Sequence, residues 1–369
     1  MNDIIKLNPT VCVVGKNYQI MIKTEQDALI SIRIGNKTYY DHCNGVRKSL
    51  PGVHRISVPT EVLDKECSYT VVVQKMMERL VYFPKIGPEL ETKYNFRPVN
   101  KTKNINIYHL ADVHGNWTQA IGAARKCNKQ IDLLILNGDI SSAFNTVEDI
   151  TLCYRIASEI TKGEIPCIIS RGNHELRGDF GEKVSLYMPG ENGKSYYTFK
   201  VGCIWGIIVD AGGNKVDSHP SYGGTLCCHD FRLEQEKMIE NTIKNASDEY
   251  EEEDVKYKII ISHIPFTFKF EKRYNIERDL FARWSNLLKE NIKPNLMICG
   301  HTHIACVSAD GSEFDDLGQP CTIIVGSDLS KDENANDILA GALITLKDDT
   351  ADIMFNSENM ILHETTIQL

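Results

Sequence analysis

Five apolar runs in this chain end in residues that can bind a metal. IYHLADVHGN delivers Asp112 and His114, and LLILNGDI delivers Asp139. IISRGNHE delivers Asn173 and His174, IIISHIP delivers His263, and MICGHTH delivers His301 and His303. Taken singly, each has a plain structural explanation. An Asp after a strand is commonly a helix cap or turn residue, and a lone histidine is commonly hydrogen-bonded in the core or on the surface. The coincidence argues otherwise, because six of the eleven histidines lie in these five stretches. Ligand sites of α/β sheets lie outside the carboxyl ends of the strands. The pattern therefore predicts that all five exits converge on one metal site.

The donors are oxygen and imidazole, without thiolate, because Cys299 lies inside the strand that precedes Gly300. Such a set suits Mn, Fe or Zn. It exceeds the four positions of a tetrahedral zinc. Two ions about 3.5–4 Å apart, sharing one carboxylate, would use all the donors. His301 and His303, two residues apart in an extended segment, would project to the same side and each reach one ion. Gly115, Gly138, Gly172 and Gly300 suit the tight turns beside the ligands.

These residues need a scaffold. From Ile105 onward, runs such as DLLILNG, PCIISRG and KYKIIISHI lack alternation, as strands buried on both faces do. Helical spacing separates several of them, in WTQAIGAARKCN, VEDITLCYRIASEITKG, LEQEKMIENTIKNA and RDLFARWSNLLKEN. The expected fold is α/β, a layered sheet core with helices outside. Residues 1 to about 83 read instead as short, partly alternating strands, with a Gly-Asn turn signal at 35–36. They predict a small β-sandwich of fibronectin-III type. FPKIGPELETKYNFRPVNKTKN, with three prolines, reads as a linker. The predicted division is 1–97 for the sandwich with its linker and 98–369 for the catalytic domain.

Composition narrows the class. The chain has 369 residues and a formal net charge of −9, so general nucleic-acid binding is not expected. No stretch reads as a secretory signal or a membrane span. Twelve cysteines without CxxC spacing read as reduced thiols of a cytoplasmic protein.

In order and approximate spacing, Asp112-Val113-His114, Gly138-Asp139, Gly172-Asn173-His174-Glu175, His263 and Gly300-His301-Thr302-His303 resemble the blocks of the calcineurin-like metallophosphoesterases. The resemblance implies a four-layer α/β/β/α sandwich. It implies one metal on Asp112, His114, Asp139 and His303, and a second on Asp139, Asn173, His263 and His301, with Asp139 bridging. It implies hydrolysis of a phosphate ester by a metal-bridging hydroxide, with His174 as general acid and Glu175 as a candidate to orient it. A β-sandwich before the catalytic domain is similar to purple acid phosphatases, but Ser142 stands where their tyrosine ligand would be. Protein phosphatases of the family carry an Asp at that position, so Ser/Thr protein phosphatase is a weaker alternative. A phosphodiesterase or nuclease, and a non-catalytic metal-binding scaffold, are the others. Candidate substrate contacts are Asn116 after the first block, Arg177 for its bidentate guanidinium, and Tyr222 and His229 from a long glycine-rich insert.

Overall fold

The computed structural model describes residues 3–331 and 337–369. Two sheets form its centre. In the six-stranded sheet the order is Tyr197–Val201, Ile204–Ile208, Tyr257–Ile261, Leu296–Cys299, Thr322–Val325, Cys306–Ser308. In the ten-stranded sheet, Ile105–Leu110, Leu133–Asn137 and Pro166–Ser170 run parallel at the middle. Asp337–Leu346, Thr350–Asn356 and Ile361–Gln368 extend it antiparallel on one side.

Isoleucine, valine and leucine fill the space between the sheets, among them Ile107, Ile135, Ile168, Ile259 and Ile298. The outer face of the ten-stranded sheet is covered by helices Trp117–Lys126 and Val147–Thr161, through residues such as Leu134, Leu136, Ile121 and Ile156. The outer face of the six-stranded sheet packs on helices Cys228–Lys244 and Arg278–Leu287, around Trp284, Ile260 and Met297. Four α/β/β/α layers result, because strands with apolar residues on both faces need a cover on each side.

The N-terminal sandwich joins this core directly. Thr10–Val14 pairs parallel with Pro166–Ser170, with Val11 opposite Pro166 and Cys12 opposite Cys167. Asn17–Thr24 and Gly52–Pro59 follow it in the same ten-stranded sheet. One sheet of the sandwich thus continues the catalytic sheet across the proposed boundary near residue 97. The other sheet holds Leu90–Asn95, Ser68–Glu78, Ala28–Ile34 and Lys37–Tyr40, with Lys85–Ile86 also on Ser68–Glu78. The Gly35-Asn36 turn joins two of these strands, with Ile34 opposite Lys37.

The supposed linker needs correction. Its residues Leu90–Asn95 form an edge strand along Ser68–Glu78. Nearly all of its side chains are exposed, so backbone pairing holds the strand and hydropathy does not reveal it.

Candidate metal centre

The five strand exits meet at one edge of the paired sheets. Asp112, Asp139, Asn173 and His263 are buried, His114 and His301 are partly buried, and His303 is exposed. Three groups of potential ligand atoms form, each within 4.8 Å: Asp112, His114 and His303; Asp139, His263 and His301; and His114, Asp139 and His174. The His263 Nε2 lies 3.2 Å from Asp139 Oδ2 and 3.7 Å from Asp112 Oδ1. The His303 Nε2 lies 3.3 Å from Asp112 Oδ1 and 3.3 Å from His114 Nε2.

Backbone strain accompanies this convergence. Asp112, His114, Asp139, His301 and His303 all have positive φ, from 47° to 72°. That region is unfavourable for a side chain with a Cβ, and such strain clusters at functional sites. His301 and His303 are therefore not two residues of an extended segment, as expected. Each sits in a left-handed turn (φ 72° and 56°). They still enter different groups, because the turns aim each ring separately.

The loops also hold one another. The Asp112 Oδ2 accepts the His301 backbone N–H at 2.6 Å, and Asp139 Oδ1 accepts that of His174 at 2.8 Å. A Cβ on Gly138, whose φ is +78°, would stand 2.4 Å from Gly172 N. No side chain fits where these two loops cross.

Below the ligands, the fully buried Asn137 links the sheets. Its amide donates to the Ser262 and Ile298 carbonyls (3.3 and 3.2 Å), and its Oδ1 accepts from Ser170 Oγ at 2.6 Å. Its own carbonyl accepts from His263 Nδ1 at 2.7 Å, which leaves Nε2 facing the carboxylates. A polar residue closing the apolar run LLILN was a readable signal for such a role.

The residues fit a cation. Asp112 Oδ1, Asn173 Oδ1 and His263 Nε2 are buried and make no well-aligned hydrogen bond. Asp112 Oδ1 and His263 Nε2 make only ionic contacts. Burying such atoms without well-aligned partners costs free energy, which metal coordination would recover. Burial alone would lower the His263 pKa, but the Asp139 and Asp112 charges outweigh it and raise it to about 10. Burial and the charge of His263 pull His301 down to about 4. His263 and neighbouring histidines hold Asp112 and Asp139 below the usual carboxylate range despite burial.

His174 sits beside this cluster. Its ring is edge-on to that of His114 at 4.8 Å, and its Nε2 is 3.7 Å from Asp139 Oδ2. Its Nδ1 donates to the Ser142 carbonyl at 2.8 Å. The Arg177 Nη1 lies over this ring, 3.1 Å from Nε2 and 3.5 Å from Nδ1. Glu175 does not orient His174. Its carboxylate points into the turn and accepts the backbone N–H groups of Gly172, Asp139 and Ile140 at 2.9, 3.1 and 3.2 Å. Burial, then the charge of Asp139, raises the Glu175 pKa to about 8.

The other candidates divide. Asn116 precedes helix Trp117–Lys126 and makes no side-chain capping bond. Tyr222 is buried, with its hydroxyl 3.3 Å from Asn214 Oδ1. His229 is exposed, and its Nδ1 is within 3.0–3.1 Å of the Glu277 carboxylate. Phe270, which the sequence did not single out, places its ring 5.9 Å from that of His301.

The profile of the calcineurin-like phosphoesterase family matches residues 105–305, more than half of the 369 residues. The chain belongs to the calcineurin-like phosphoesterases. As a calcineurin-like phosphoesterase it is a phosphoester hydrolase whose His/Asp groups could hold divalent metal. Its fold is similar to a purple acid phosphatase, PPD1, from yellow lupin (Lupinus luteus) seeds. That match has a TM-score of 0.60 and 13% identity over 98% of this chain and 74% of the other. It is also similar to PhoD, with a TM-score of 0.58 and 12% identity over 100% of this chain and 91% of the other. No curated protein matches in sequence. No helix among the described residues is long and apolar enough to cross a membrane.

Proposed function

We propose that this protein hydrolyses phosphate esters with two metal ions, of Mn, Fe or Zn type, and with His174 as general acid. Asp112, His114, Asp139 and His303 would hold one ion. Asp139, Asn173, His263 and His301 would hold the other. The observation that carries this reading is the set of buried atoms without a well-aligned hydrogen bond, Asp112 Oδ1, Asn173 Oδ1 and His263 Nε2, inside a ring of carboxylates and imidazoles. When bound, such ions acidify a coordinated water and neutralise phosphate charge.

The protein groups then have separate tasks. The Nδ1–H bond from His174 to the Ser142 carbonyl leaves Nε2 to carry the proton for the leaving oxygen. Arg177 Nη1, 3.1 Å from Nε2 and 3.5 Å from Nδ1, lies over the ring face and not along the Nε2 lone pair. Its guanidinium would pair with phosphate oxygens beside His174. Asn116, two residues after His114 and with a side chain not used in capping, would donate to the same phosphate.

A panel of phosphomonoesters, diesters, nucleotides and phosphopeptides, assayed with Mn, Fe, Zn and Mg, tests the proposal. Metal-dependent turnover of at least one ester class is expected. Retention of the metals without turnover of any would favour the scaffold alternative.

A further inference from the structure

Two adjoining hollows open beside His301. They share Phe268, Phe270, Tyr274 and His301. The outer one, about 280 Å³, is completed by Ile304 and Phe314. Phe268 and Phe314 stack at 5.3 Å with 15° between their planes, and Phe270 meets His301 edge-on at 5.9 Å. Ile304, one residue beyond His303, is 53% exposed. The Lys215 ammonium lies 5.5 Å over the Tyr274 ring, so a cation borders this aromatic wall.

We infer that this recess binds the alcohol portion of the substrate, and that this portion carries a flat aromatic ring. The inference rests on the phosphoesterase reading, because the placement follows from His301. One side of that imidazole belongs to the group with Asp139 and His263, and it also lines the recess. A phosphate at the ligand cluster would therefore hold its ester arm next to Phe270. A ring suits these walls better than an alkyl chain. Aromatic faces and edges favour offset-stacked and edge-to-face partners beyond simple area burial. The recess is also near the lower end of small-molecule pocket volumes, which suits a single ring system.

Calorimetry on the metal-loaded protein tests this without turnover. The probes are 2-phenylethylphosphonate, 2-cyclohexylethylphosphonate and ethylphosphonate. The phenyl compound should bind about 10–100-fold tighter than the ethyl compound, as expected from burying one aromatic group, and tighter than the cyclohexyl one. Phe270→Ala should bring the phenyl-to-ethyl ratio toward one. Ile304→Ala, at a position that is 53% exposed, should reduce it in the same direction. Equal affinity of the phenyl and ethyl compounds, or a ratio untouched by both substitutions, would overturn the inference. Equal binding of phenyl and cyclohexyl would overturn the requirement for a flat ring. Hydrolysis of p-nitrophenyl phosphate is measured in parallel. Turnover without phenyl preference refutes the recess alone, phenyl preference without turnover of any ester refutes the catalytic reading alone, and failure to bind any phosphonate refutes both.

Discussion

His174 donates from Nδ1 to the backbone carbonyl of Ser142, 2.8 Å away. The bond uses the main chain, so the side chain at 142 is dispensable for orienting the imidazole. Ser142→Ala should therefore change kcat by less than about threefold. His174→Ala should lower kcat about 10²–10⁴-fold while the metals stay bound. The loss should be smaller for nitrophenyl esters, which need no proton at the leaving oxygen, than for alkyl esters. Equal losses on both would place His174 on the phosphoryl oxygens instead, and loss of metal would make it a ligand.

Asp139→Asn should be the most damaging single ligand change. Asp139 lies within reach of both His263 and His174 and is the proposed shared carboxylate. Elemental analysis of the reconstituted parent protein should give close to two ions per chain, and the variant should retain markedly less. A parent value of one or less at full activity contradicts the two-ion proposal.

The metal-free protein should be most stable near pH 6.5. On the alkaline side, His263 is held up to about 10 and Glu175 to about 8. Folding thus favours their protonated forms. For His263 that stability is complete below its ordinary value near 6.5 and is lost as pH rises toward 10. For Glu175 the loss begins in the carboxylate range and runs up to about 8. On the acid side, burial pulls His301 down to about 4 and His109 to about 3. Their combined loss below about 6.5 exceeds what Glu175 regains there, so stability falls as pH drops from about 6.5 toward 4. Melting curves in chelator between pH 4 and 10 should show this maximum. Adding metal should flatten the alkaline limb, because the cation replaces the proton on His263. A chelated protein whose Tm rises steadily to pH 9 would contradict the assignment.

Asn137→Ala should destabilise the fold by roughly 2–4 kcal/mol, since it strips partners from Ser170 Oγ and two buried carbonyls. The His263 bond uses the Asn137 carbonyl, which the substitution keeps. Denaturant titration should therefore show the loss while metal content at saturation persists. A stability change under about 0.5 kcal/mol would mean that water replaces the amide.

Deleting residues 1–97 removes none of the proposed ligands. It does unpair the edge of Pro166–Ser170, the strand that leads to Asn173. An exposed edge of this kind promotes aggregation. The truncated chain should be less soluble than the whole, and any soluble fraction should still bind metal. A soluble fragment with no metal affinity would show that the sandwich contributes more than edge protection.

Much of this molecule was legible in its sequence, for local reasons. Strands such as DLLILNG and KYKIIISHI carry apolar residues without alternation, and burial on both faces demands that composition wherever the strand lies. The donor types of Asp112, His114, Asp139, Asn173, His263, His301 and His303 were equally plain, since ligand chemistry belongs to the side chain itself. What only the tertiary structure decided depends on the backbone and on distance along the chain. The left-handed turns at His301 and His303 leave no mark in residue type, so the extended reading of HTH was reasonable and wrong in its geometry. The Ser142 and Asn137 carbonyls orient His174 and His263, and every residue has a carbonyl. The strand Leu90–Asn95 is polar because it is an edge. The pairing of Val11 with Pro166 joins segments with no local relation, and only the assembled sheet could select that partner.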